Sequence, residues 1–512
     1  MKVIEREKQH SVLLNPLGLG VAMMVATASA VLGALAFSLL STSSLFGGEW
    51  ALLVSLFAIA VFMLPTFYEW KRGSLDLFQP IIFATWTYLL PAFGIGGLIL
   101  CFGFNQPYFL SFIQDPSRDI PLTLIYILIG FIGLCIGYYW RNTQRIADWF
   151  CSVLPRLTWE GGGAWTGGIL LILFGIGINI LGFIAGVFGY QRLDRSGTFD
   201  SLIVYFGLFF LEGSVLLWLL FFKSRERGRP LFSYLVLFGL LSLIPMRVAL
   251  LGSRAELFGI TLMIAFAFRA SGQAIKKIHI AIFGVAVVAA LIIGVIWATS
   301  FRNIKGSESR LNAGDYLGQV SATFDYLAKE DGARLLKQNF SEFMERVETL
   351  SSVAVIVSNH ERLEPYEEAY GISGNIINDA TTSLVPRFLW TDKPAVSDPR
   401  LIADLYFNYP ENSFAITPFA DLLRNFGGLG LFLGMALVGI FLKIIYSSLI
   451  EREGAGLWEK MVFYPLLTQV VNYEGLYSNI FPALVRVAIV IVISVFVIHF
   501  FFGSRKASLQ SR

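Results

Sequence analysis

Charge is what this sequence has least of. Only 15% of its 512 residues are Asp, Glu, Lys or Arg, against 55% that are hydrophobic. A soluble domain of this length carries far more charge, so a soluble enzyme or a free binding module is excluded. Cysteine is scarce too. The three cysteines, Cys101, Cys135 and Cys151, fall in or beside different apolar runs, which excludes a disulfide framework and a cysteine metal cluster and leaves them as apolar filler. No internal repeat, linker or low-complexity tract interrupts the chain. Its formal net charge is only +3, and no nucleic-acid partner is expected.

What is present in quantity is apolar sequence in runs long enough to cross about 30 Å of hydrocarbon. They lie near 17–40, 51–68, 80–102, 120–139, 166–189, 200–222, 231–246, 278–300, 427–448 and 483–503, with two weaker ones near 255–270 and 461–475. Together they predict an all-α polytopic membrane protein of about 12 transmembrane helices, with membrane lipid as its surroundings. The first run follows Lys2, Arg6 and Lys8 and contains Ala28-Ser29-Ala30. It continues past those small residues and more spans follow, so it reads as a retained helix rather than a cleaved signal.

Lysine and arginine set the orientation, because short loops rich in them stay cytoplasmic. With the N-terminus inside, the inner segments hold 21 such residues and the short outer loops five: Arg118, Arg192, Arg195, Arg247 and Arg254. N-in and C-in is therefore expected. Residues 1–300 then carry nine helices, 301–425 form one large, partly helical outer loop, and 426–512 carry the last three. From about 315 to 358 the loop shows apolar residues at helical spacing, among them Phe340, Phe343, Met344, Val347 and Leu350. This predicts amphipathic helices on or beside the membrane domain.

The outer arginines call for an explanation, since a guanidinium offers a planar fork of donors suited to phosphate oxygens. Arg192 and Arg195 are interleaved with Asp194 and Asp200, where mutual neutralisation is as good an explanation, and Arg118 sits between Asp115 and Asp119, where it is the better one. Arg247 and Arg254 differ. They lie seven residues apart among apolar neighbours with Glu256 the one nearby acid, and a helix would project both from one face. Glu474 and Arg486 border a weak span, where an ionisable residue is a candidate site or one half of a structural ion pair. Glu212, mid-span, pairs with a cavity arginine or is protonated in a helix contact. His360 is the one histidine of the outer loop, and a lone loop histidine is more often simply solvated.

The loop also carries recognisable wording. Tyr370-Gly371-Ile372-Ser373-Gly374, then Pro386-Arg387-Phe388-Leu389-Trp390-Thr391-Asp392-Lys393-Pro394, then the run from Thr417 to Gly430 together resemble the signature of the Wzy-type O-antigen polymerases, the oligosaccharide repeat unit polymerases. Gly252-Ser253-Arg254 and the run beginning Arg346-Val347-Glu348 are similar to further elements of that family. Asp421 stands where the family usually has glutamate, one methylene shorter in reach.

The resemblance implies a GT-C-like polymerase or ligase architecture in the bacterial inner membrane, with the site facing the periplasm. It also implies a glycosyltransferase reaction. One polyprenyl-pyrophosphate-linked glycan is the donor and a lipid-linked repeat unit the acceptor, giving O-antigen, capsule or exopolysaccharide. Lipid pyrophosphate leaves and gains charge, which fixed cations stabilise; the attacking hydroxyl needs a proton acceptor. Arg254 and Arg387 are assigned to the leaving group, and Asp421, Glu474 and His360 are the candidate acceptors. Arg247, Arg192, Arg195, Arg424, Arg346, Lys393, Trp390 and Tyr370 are expected to bind pyrophosphate or glycan. No cofactor and no metal enter this scheme; a chain-length regulator and a flippase are plausible partners. For Trp390 and Pro394 the alternative is a rigid interfacial cap. Two other functions stay open: an O-antigen ligase, and a lipid-linked oligosaccharide flippase or other transporter. A transporter would place broken helices near the midplane.

Overall fold

The computed structural model describes residues 45–104, 108–157, 159, 161–185, 187, 200–224, 231–251, 254–273, 276–305, 313–330, 344–345, 347–385, 390, 397–410 and 414–502. Among these residues every regular element is helical. Eight helices are long and apolar enough to cross a membrane, as the composition requires. The chain is a membrane-embedded all-α protein. The expected span 17–40 lies outside the described residues, and each of the other eleven coincides with a helix.

In order these are α1 (Gly48–Lys71), α2 (Pro80–Cys101), α3 (Pro116–Tyr139), α4 (Arg141–Val153), α5 (Gly161–Ile184), α6 (Asp200–Gly207), α7 (Phe209–Lys223), α8 (Leu231–Leu251), α9 (Arg254–Ala270) and α10 (Lys277–Lys305). The long segment contributes α11 (Ala313–Lys329), α12 (Leu350–Glu367), α13 (Asn375–Ser383) and α14 (Pro399–Phe407). α15 (Thr417–Tyr446), α16 (Leu457–Val470) and α17 (Ile480–Phe502) complete the chain. Successive spans alternate in direction. The end of the bundle that carries residues 306–416 is called the loop end below.

α3 opens with Asp115 capping the Ser117 N–H and Pro116 in the first turn, where a missing N–H costs nothing. It packs along α15 at the closest approach in the bundle. A Cβ on Gly133 would collide with the Phe432 carbonyl and one on Gly137 with the Ala436 carbonyl, while Gly439 lies against the Leu134 carbonyl. Small residues let backbones meet in this way where lipid supplies no hydrophobic drive. Because 133 and 137 face 432 and 436, the two helices run in the same direction.

α15 is a bent element. Gly427 has φ 67° and ψ −169°, a conformation open to glycine and to few other residues. There the chain folds back on itself, so that Leu422 lies against Gly434 and Phe426 against Gly430. The short arm starts at Thr417, itself at φ 66°, whose Oγ1 accepts the Ala420 N–H at 3.3 Å.

The long segment departs most from expectation. α12 does not lie on the bundle; it is inserted into it. Leu350, Val353, Ala354, Val355 and Ile356 are each at most 1% exposed. The Thr349 N–H, just ahead of its first turn, donates to the Ala92 carbonyl at 3.3 Å. Ala92 is in a π-helical stretch of α2 containing Pro91, nine residues short of the loop end, about 13 Å along the axis. From there α12 climbs outward. The Ser358 hydroxyl donates to Asp119 at 2.6 Å and the Asn359 amide to the Phe112 carbonyl at 2.8 Å, both at the loop end. α11 also forms, and its Tyr316 packs on Phe301 of α10 at 5.2 Å. Phe340 and Phe343 lie outside the described residues.

At the opposite end α4 is an amphipathic helix flanking α15. Thr143 and Ala147 are buried, Arg141, Arg145 and Asp148 are exposed, and Ile146, Trp149, Phe150 and Val153 form a separate exposed apolar stripe.

Candidate functional site

Two polar constellations are found, one at the loop end of the bundle and one deeper inside it. The first is built where α12, α13, α14 and the short arm of α15 converge. Arg424 projects from that arm with no exposed side-chain surface, 2.8 Å from Glu367 and 2.9 Å from Asp421. It also donates to the Ile372 carbonyl at 2.9 Å and to Asn375 Oδ1 at 2.6 Å. A guanidinium removed from water needs such compensation, and its rigid fork suits several acceptors at once. Glu367 is held in turn by the Tyr406 hydroxyl at 2.7 Å. Burial first, and the Glu367 carboxylate second, push the Tyr406 phenol up, so it stays a donor. His360 Nδ1 lies 3.4 Å from the same hydroxyl and 4.0 Å from Glu367.

Asp421 is fully buried. Its Oδ1 accepts from Arg424, Asn375 and Asn425, and its Oδ2 accepts the Ser478 N–H at 2.9 Å. The carboxylate expected to take a proton from a substrate therefore spends its acceptor capacity on four protein donors. It ties the short arm of α15 to α13 and to the start of the last span. Arg424, expected to touch pyrophosphate, is enclosed by the same network. Asp379 of α13 accepts the Ser397 N–H at 3.2 Å, and burial pushes its carboxyl up.

The second constellation is a break. α16 stops at Val470, and residues 471–476 are irregular before a single 3-10 turn, Tyr477–Asn479, leads into α17. Within the break Tyr473 is buried, its ring 5.7 Å from Tyr88 and 6.1 Å from Phe419. Tyr88 lies 13 residues before the end of α2, about 20 Å along the axis from the loop end. The break is therefore deep in the bundle, yet Asn472 and Glu474 are exposed there. Near it the buried Tyr473 hydroxyl and Asn425 Oδ1 have no hydrogen-bond partner among the described residues. Groups of that kind mark sites that take water or a ligand.

Backbone geometry brings one expected arginine to the same depth. The Tyr464 hydroxyl donates to the Gly259 carbonyl at 2.7 Å, which pins α16 to the antiparallel α9. Val470 is six residues beyond Tyr464 and Arg254 five residues before Gly259, about 8–9 Å each way. The first turn of α9 and the break thus share a level.

Of the other expected residues, His360 is half-buried in the first constellation. Tyr370 is half-buried in the turn after α12, its N–H on the Tyr366 carbonyl at 3.3 Å, and Trp390 is exposed. Arg247 falls in α8; its side chain, like that of Arg254, lies outside the described residues. Arg192, Arg195, Arg346, Arg387 and Lys393 also lie outside them. Glu474 and Arg486 make no ion pair with each other, and Glu212 has the Ser494 hydroxyl rather than an arginine as partner. Glu367, Asn375 and Tyr406 were not anticipated. The pairing of Asp421 with Arg424 is readable as an i,i+3 spacing, but a buried arginine's second carboxylate, 57 residues away, has no local signal. Among the described residues no group of three or more His, Cys, Asp or Glu is arranged to hold a metal. Compared with known proteins, the chain matches no family model, no curated protein and no solved structure.

Proposed function

We propose that this protein is a glycosyltransferase that joins polyprenyl-pyrophosphate-linked repeat units into a polysaccharide at the outer face of a bacterial inner membrane. The observation that carries the reading is the exposed acid at the α16 break. Glu474 stands on polar backbone about 20 Å inside a membrane bundle, level with the arginine-led start of α9, in the same break as the buried Tyr473 hydroxyl, which has no partner among the described residues. An exposed acid at the level of an arginine-led helix start suits what the reaction demands, a proton acceptor for the attacking hydroxyl and positive charge for departing pyrophosphate. The runs Tyr370–Gly374, Pro386–Pro394 and Thr417–Gly430 support it by resemblance.

In this scheme Glu474 is the acceptor and His360 the second candidate. Arg254 and Arg387 face the pyrophosphate, with Arg247, Arg192, Arg195, Arg346 and Lys393 available along its path. Asp421, Glu367 and Arg424 hold the scaffold in register rather than touch substrate. The basic residues concentrated at the end opposite the loop, Lys71, Arg72, Arg141 and Arg145 among them, favour that end as cytoplasmic.

A second reading, a lipid-linked oligosaccharide flippase, has one observation in its favour. α12 begins and α16 ends inside the bundle, and broken helices at mid-depth are a transporter device. Purified protein supplied with lipid-pyrophosphate repeat units separates the two. A ladder of longer lipid-linked glycans is expected; transport of intact units with no ladder would assign the flippase.

A further inference from the structure

Arg486 is a part-buried cation inside a candidate membrane span. It lies six residues into α17, about 9 Å along the axis from its first residue, in a helix apolar enough to span the membrane. Four other cations of the bundle are paired with acids: Arg424 with Glu367 and Asp421, Lys443 with Glu451 at 2.8 Å, Arg269 with Asp76 at 3.2 Å, and Arg452 with Glu459 at 4.0 Å. Arg486 has none among the described residues. Its only hydrogen bond among the described residues is a long one, Nε to the Pro482 carbonyl at 3.4 Å. The guanidinium carbon sits 5.8 Å from the centroid of the Tyr205 ring.

These contacts fix the group without neutralising it. Nε is drawn one turn back toward the loop end, and Tyr205 supplies a face against which a guanidinium is held electrostatically. Both Nη atoms, the pair that grips two oxygens of one anion, are left without an acceptor among the described residues. An uncompensated charge in a span is costly, so a fixed, unpaired fork points to an anion supplied from outside the chain. In a bilayer the abundant anion is phosphate borne on a lipid.

We propose that Arg486, backed by Tyr205, is a binding site for the phosphate or diphosphate of a membrane lipid. Two sources share that chemistry, an ordinary phospholipid headgroup and the polyprenyl carrier of the reaction proposed above. Binding itself does not depend on that reaction.

The test is equilibrium binding to the purified full-length chain in phosphatidylcholine nanodiscs, with three probes: a polyprenyl monophosphate, phosphatidylglycerol and inorganic pyrophosphate. Arg486→Gln is expected to weaken binding of a lipid phosphate tenfold or more, and Arg486→Lys to restore part of it, at unchanged thermal stability. Loss for both lipids identifies a headgroup site, and loss for the polyprenyl phosphate alone a carrier site. Unchanged binding of both lipids, or an effect on soluble pyrophosphate alone, overturns the proposal. Should Arg486→Gln fail to fold, Tyr205→Leu removes the aromatic face and must weaken the same binding at least several-fold. Because no glycan is used, a chain that binds lipid phosphate but makes no ladder sinks the polymerase reading and leaves this one standing.

Discussion

Single side chains decide whether the loop-end network holds. Replacing Arg424 by Met leaves Glu367 and Asp421 buried and unmatched, a loss of about 3–5 kcal/mol for a broken buried pair. Thermal melting in detergent should register it, and Arg424→Lys should recover little, since an ammonium lacks the fork that reaches four acceptors. Asp379 gives a pH signature. Its folded pKa is raised, so between the ordinary carboxylate value near 4 and the raised one the folded state binds more protons than the unfolded state. Stability contributed by Asp379 is then present at low pH and lost as pH rises through the raised value. Melting curves from about pH 4 to 8 should show that slope, and Asp379→Asn should flatten it. At the α16 break Glu474→Gln should cut chain extension by about 10²–10⁴, the usual range for a lost general base, without lowering the melting temperature. Full activity in that variant would remove Glu474 from the mechanism. The sequence disclosed these residues unevenly. Asp421, Arg424 and Glu474 stand out because charge in an apolar chain is conspicuous. Glu367 and Tyr406 sit in a stretch already rich in polar groups, where only the fold distinguishes a buried acid from a solvated one.

Elements were more legible than their depth. Apolar length locates a helix at every described span because 20-odd hydrophobic residues have few other stable uses. It cannot say how far a 14-residue helix such as α16 reaches, or that α12, with Asn359, His360, Glu361 and Arg362 in its second half, buries its first half among spans. Its polar half meets polar partners at the loop end, so its composition averages to a surface helix. Packing at this scale depends on α3 against α15. Gly137→Val would drive a branched side chain into the Ala436 carbonyl, with a cost at the upper end of the about 1–3 kcal/mol seen for overpacking or beyond it. Lower yield of folded protein on size-exclusion chromatography checks this, and Gly177→Ala, in open space, is the control with no expected effect.

For the molecule as a whole, orientation and chemistry are separately testable. With the native cysteines replaced by Ser, a membrane-impermeant thiol reagent applied to intact cells should label Leu317→Cys, exposed on α11, and not Arg72→Cys, exposed at the other end. The reverse pattern would put the loop in the cytoplasm and end the polymerase reading. Arg254→Ala and Arg387→Ala should each abolish chain extension while membrane insertion continues; long polymer in both would free them of any role. The inserted position of α12 also dictates an order of assembly. Ser358 meets Asp119 across 239 residues of sequence, and the Ala92 carbonyl waits for Thr349 still longer than its own helix takes to form. The α2–α3 groove is thus complete in sequence but empty while eight further helices, α4 to α11, are synthesised, and in the proposed orientation it closes only after the segment bearing α12 has crossed the membrane and turned back. In that orientation export of the segment is a step in folding, and a chain blocked in it would hold most of its helices yet lack the interior of its loop-end half.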